Sequence, residues 1–75
     1  MIRVVIFEDN PNLRVGLYQL INGSDGFICG GAFEDCLNLL KDIEDTKPEV
    51  VLMDIQMPGI NGIEAVKMLR EKYPT

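Results

Sequence analysis

Glu49-Val50-Val51-Leu52-Met53-Asp54-Ile55-Gln56-Met57-Pro58-Gly59 is the stretch that decides how the chain is read. Val50 to Met53 is a short apolar run of the kind buried on both faces of a parallel sheet. It leads straight into an acid, Asp54, and then into a turn at Met57-Pro58-Gly59. The front of the chain repeats the arrangement: Ile2 to Phe7 is nearly unbroken apolar and β-branched, and Glu8-Asp9 follow it directly. Two strands that each end in carboxylates frame the sequence.

The segments between and beyond them read as helices and one weaker strand. Asn10-Pro11 is a good helix start, because Asn can cap and Pro loses nothing at the first helical position. Leu13, Leu17, Leu20 and Ile21 share a face of that helix, which should stop at Asn22-Gly23. Phe27 to Phe33 alternates loosely around Gly30-Gly31 and is expected to be an edge strand. Cys36, Leu39, Leu40 and Ile43 have helical spacing, with Glu34 and Asp35 suited to the positive end of the helix and Pro48 forcing its end. Asn61 and Glu64 stand at the separation of a capping box, ahead of Ile63, Val66, Leu69 and Tyr73 on a third helical face.

The order is therefore β-α-β-α-β-α. Short connections between alternating elements imply right-handed crossovers and an α/β fold, a parallel sheet covered by helices on both faces. In such sheets, ligands sit beyond the carboxyl ends of the strands, where the strand order reverses. Glu8, Asp9 and Asp54 should all project there.

Bulk properties narrow the classes. With 75 residues there is room for one small domain at most. A net charge of -5 and scattered basic residues exclude direct gripping of nucleic acid, and 47% hydrophobic residues mark a folded domain. Cys29 and Cys36 are expected to be reduced thiols in or near the core, and the absence of histidine leaves a structural zinc site without its usual ligands. No run approaches a membrane span or a secretory leader, so a cytoplasmic protein without membrane contact is expected.

Glu8-Asp9 alone reads more simply as helix-start acids favoured by the macrodipole, and a lone Asp after a strand is unremarkable. Three carboxylates at one sheet edge are harder to dismiss, since crowding like charges raises the free energy unless a cation or a bound proton relieves it. Mg²⁺ suits an all-oxygen set, and a carboxylate beside it can act as nucleophile toward a phosphoryl group. Spacing does not say which carboxylate attacks.

The run from Val51 to Gly62 resembles the phosphorylation-site stretch of receiver domains in bacterial two-component response regulators, where an Asp ends the third strand and a Met-Pro turn and a Gly follow. Ile6-Phe7-Glu8-Asp9-Asn10 resembles the family's acidic pair. The similarity extends along the chain and is closest to the subfamily with a LuxR-type helix-turn-helix output. It implies a flavodoxin-like, doubly wound parallel sheet, truncated here to strand order 2-1-3 with strands 4 and 5 missing. By that resemblance Asp54 is the phosphoacceptor, and Mg²⁺ is held by Asp9, Asp54, the main-chain carbonyl of Gln56 and, through water, Glu8. The Gln56 side chain would lie near the route of the attacking water. Glu8 departs from the commoner Asp but keeps the charge.

The implied function is a phosphoacceptor that takes phosphoryl from a histidine kinase and controls an output domain, with DNA bound only through that absent domain. The resemblance implies a self-catalysed phosphoacceptor rather than a turnover enzyme. Residues 1–75 would be the N-terminal part of the receiver, lacking the Ser/Thr after the fourth strand and the Lys after the fifth. Truncation would bare the third strand, so that the fragment self-associates there or through uncovered helix faces. The alternative is a phosphate-independent interaction module. A haloacid-dehalogenase-type phosphatase would need a second Asp where Gln56 stands. Pro58 and Gly62 read as structural, Met53, Met57 and Met68 as packing or loop residues, and Lys67 and Arg70 as solvated.

Overall fold

The computed structural model describes residues 1–57 and 59–74. Pro58 of the anticipated turn, and Thr75, lie outside them. The elements are β1 (Ile2–Phe7), α1 (Pro11–Asn22), β2 (Phe27–Phe33), α2 (Leu39–Thr46), β3 (Val50–Met53) and α3 (Gly62–Lys72). The sheet is parallel, in the order β2-β1-β3, with Phe7 opposite Met53 at its carboxyl end. Alternation and strand order thus follow the sequence expectation. The weak strand is indeed an edge, and its register with β1 slips between Val4 and Val5, opposite Gly30-Gly31. A run interrupted by two glycines has little side-chain packing to enforce a straight ladder.

Val4 to Phe7 form the buried centre. Side chains alternate across a strand, so Val5 and Phe7 point into a cluster with Cys36, Leu39, Ile43, Met57 and Ala65. Phe7 and Phe33 stack across β1 and β2 with ring centroids 5.3 Å apart. Both cysteines are free thiols. Burial, aided by the charges of Asp35 and Asp42, pushes the Cys36 thiol up to about 11, which keeps it protonated and unreactive.

Three helix readings need correction. The second helix begins at Leu39, not Cys36, and residues 36–38 form a turn in which Asp35 Oδ1 accepts the Leu37 N–H. Cys36 is fully buried all the same, because an apolar side chain at a turn can fill the core as well as one on a helix. In α3 the stripe of Ile63 and Val66 is exposed, and the helix packs instead through Gly62 and Ala65, with Met68 and Leu69 beside them. Its smallest residues allow the closest approach to the sheet. In α1 no residue is buried, and Leu13 and Leu20 remain open, since the helix rests on β1 and β2 along only part of its apolar face.

The ends fall where the capping chemistry puts them. Asn10 Oδ1 accepts the N–H groups of Asn12 and Leu13, satisfying two orphan donors of α1. Asn61 Oδ1 accepts the Glu64 N–H at 3.0 Å, and its amide donates back to the Glu64 carboxylate at 3.1 Å. The expected capping box is thus half formed: Asn61 caps the Glu64 N–H, while the Glu64 carboxylate returns to the Asn61 side chain rather than to its backbone N–H. Before Pro48, α2 ends at Thr46 with Lys47 in the left-handed region.

Candidate functional site

Parallel pairing sets the site. The Glu8 N–H donates to Phe33 O at 2.9 Å and the Asp54 N–H to Phe7 O at 3.0 Å, so both acids begin one step beyond paired strand ends. Glu8, Asp9 and Asp54 each bring a carboxylate oxygen within 4.8 Å of the others. Glu8 is buried, Asp54 half-buried and Asp9 exposed. The three carboxylates named from sequence are therefore brought together. Gln56 follows in the same loop, and its main-chain N–H donates to Asp54 Oδ1 at 3.2 Å.

The electrostatics divide the set. A hydrogen bond from the Asn10 N–H pulls the Glu8 carboxyl down, but burial and the neighbouring Asp54 and Asp9 carboxyls outweigh it and hold Glu8 above the usual carboxylate range. Asp54 is held below that range, chiefly by the Gln56 N–H and further by hydrogen bonding to Glu8 and Asp9, against the opposing effect of burial. Of the two, Asp54 is therefore the readier to ionise. An ionised carboxylate is the form that can attack an electrophile or hold a cation.

An all-oxygen donor set, crowded and partly sheltered, fits a hard divalent ion such as Mg²⁺, which prefers one or two carboxylates and retains waters. Among the described residues, no imidazole or thiolate competes at the cluster. Behind Glu8 and Asp54, Ile6, Leu17 and Leu52 line a groove of about 250 Å³, so the carboxylates stand at the rim of an apolar cleft.

The motifs do not include Arg14, yet its Nη1 donates to the main-chain oxygen of Glu8 at 2.8 Å and of Asp9 at 3.5 Å. The available signal is positional: a long cationic side chain in the first turn of α1 leans back toward the loop that precedes it. Gly62 is another part of the site. A Cβ there would run into the main-chain carbonyl of Asp54 and come within 2.7 Å of Ile55 Cα. Lys67 and Arg70 are exposed, as expected.

Residues 4–75 match the response regulator receiver domain family. The chain belongs to that family. The receiver is 40% identical over 75 residues to protein-glutamate methylesterase/protein-glutamine glutaminase 2 of Burkholderia thailandensis, covering all of this chain and 21% of that protein. It is 38% identical over 74 residues to response regulator GacA of Pseudomonas viridiflava, covering 99% of this chain and 35% of that one. Among solved structures, the response regulator domain of Thermotoga maritima CheB superposes with a TM-score of 0.91 at 36% identity, over all of this chain and 56% of that domain. The receiver therefore spans about half of the solved domain it matches and 35% or less of these two curated relatives. Since one relative is a methylesterase and the other is named as a response regulator, family membership does not by itself select an output.

Proposed function

We propose that Asp54 is the phosphoacceptor of a two-component response regulator, receiving phosphoryl from a histidine kinase with Mg²⁺ held by Asp9, Asp54, the Gln56 main-chain carbonyl and, through water, Glu8. The observation that carries this reading is the convergence of three carboxylates beyond the ends of β1 and β3. In the transfer, an Asp54 oxygen forms a bond to phosphorus as the phosphorus–nitrogen bond of a phosphohistidine breaks, and the imidazole leaves with the electron pair. When bound, the cation offsets charge on the phosphoryl oxygens. Asp54 supplies the nucleophile, its ionised form favoured chiefly by the Gln56 N–H. Asp9, exposed at the cluster, supplies the carboxylate most open to a hydrated ion.

This makes the receiver a self-catalysed phosphoacceptor rather than a turnover enzyme, acting in the cytoplasm. Among the described residues, no helix is long and apolar enough to cross a membrane. We read residues 1–75 as the front part of a receiver within a longer regulator, a view supported by the 56% coverage of the Thermotoga domain. The favoured output is DNA-binding transcription control, supported by the likeness to a protein of Bacillus subtilis named as a transcriptional regulatory protein, 37% identical over 73 residues, and the Burkholderia relative supports an enzymatic output as the second reading.

The metal assignment is tested by Mg²⁺ titration of wild type against Asp9→Ala. Affinity should fall at least tenfold in the variant, a ligand loss being no milder than the loss of a ligand's supporting partner. Equal affinities would refute the assignment. The same titration should weaken on acidification, because protons compete with the cation for the Glu8 carboxyl, whose pKa is raised.

The isolated 75-residue polypeptide is further proposed to self-associate. Among the described residues β3 pairs only with β1, and Val50 and Leu52 on it are each about 40% exposed, which leaves an apolar strand edge for a second chain. Sedimentation should show species larger than a monomer. A monodisperse monomer with a cooperative thermal transition would count against it.

A further inference from the structure

The loop from Glu8 to Asn10 must hold two like-charged side chains toward a third, and its fixed points lie at its ends. Glu8 is tied to the sheet through its N–H on Phe33 O, and Asn10 is committed to capping α1. Between them the peptide units of Glu8 and Asp9 turn their carbonyl oxygens toward the half-buried Arg14, at 2.8 and 3.5 Å from Nη1. The guanidinium makes no ion pair with the carboxylates of the cluster. Among the described residues the single ion pair is Lys41–Asp45 on α2. Its contact is with the backbone, through the single nitrogen Nη1, which reaches the adjacent Glu8 and Asp9 main-chain oxygens at 2.8 and 3.5 Å.

We infer that Arg14 is a positioning residue, a clamp on the Glu8 and Asp9 carbonyls that holds their side chains facing Asp54. The inference rests on the metal-assisted phosphoacceptor reading above. It makes a signed distinction. If Arg14 acted only as a nearby positive charge, removing it would tighten cation binding by relieving repulsion. As a clamp, its removal weakens binding because the carboxylates lose their fixed placement.

The test is a Mn²⁺ titration of the protein at its full natural length, as wild type, Arg14→Met, Arg14→Lys and Asp9→Ala, together with metal-free amide hydrogen exchange over residues 8–10. Arg14→Met, which keeps an unbranched stem, should weaken Mn²⁺ roughly tenfold, the usual scale for losing a ligand's supporting partner. Arg14→Lys should recover part of the loss, and exchange over the loop should quicken in both variants. Unchanged or tighter binding in Arg14→Met, or unchanged exchange, overturns the clamp. If that variant does not fold, Arg14→Lys decides: affinity and exchange equal to wild type overturn it. A wild type that takes no Mn²⁺, or Asp9→Ala binding as wild type does, sinks the metal reading instead, and loop exchange then judges the clamp alone.

Discussion

Gly62→Ala is expected to destabilise the protein by about 3 kcal/mol or more, the upper part of the range for forcing an atom into a filled site. The position tolerates no methyl group. Its Cβ would meet the Asp54 carbonyl, Ile55 Cα at 2.7 Å and the Asp54 carbonyl carbon at 3.0 Å, all of them backbone. A flexible side chain can swing away from such a clash. A backbone that is also hydrogen-bonded, here by the Gly62 N–H to Ile55 O at 2.9 Å, cannot do so cheaply. The relief available is to push the start of α3 away from the end of β3, which loosens Ala65 from the core and displaces Asp54 together. A urea titration of the protein at its full natural length should therefore show a large fall in midpoint, and the variant should accept phosphoryl more slowly. A midpoint within experimental error of wild type would mean that α3 does not approach Asp54 this closely.

The same residue shows where the sequence speaks and where it falls silent. Strand runs that end in acids, Asn10 and Asn61 as caps, and the stop before Pro48 follow local rules, each decided within a few residues. Those features were readable. That Glu8, Asp9 and Asp54 converge follows from strand order, and the order was readable only through the family resemblance. What local patterning missed is tertiary. The apolar stripe of α3 suggested that Ile63 and Val66 face inward, but the helix turns its Gly62–Ala65 face to the sheet because small residues permit the closer contact. Helical periodicity reached back to Cys36, yet the chain reaches that buried position by a turn. No motif marks Arg14, because its partners are main-chain carbonyls, which every residue carries.

The loss of phosphorylation in Asp54→Asn is expected to be complete. The substitution keeps size and hydrogen-bonding shape, including an oxygen that can accept the Gln56 N–H, while removing the carboxylate nucleophile. Glu8 and Asp9 remain in place, within 4.8 Å of the substituted group. They do not substitute for it: Glu8 is buried and assigned to a water of the cation, and Asp9 is assigned to the cation itself. Stability should change little by comparison, since Asp54 lies at the open edge of the sheet and relief of like-charge crowding offsets part of what is lost.

The most direct measurement is intact mass after exposure of the full-length protein to a small phosphodonor and Mg²⁺, wild type beside Asp54→Asn. The prediction is one phosphoryl group gained by wild type and none by the variant. Equal gain by both would contradict Asp54 as the acceptor.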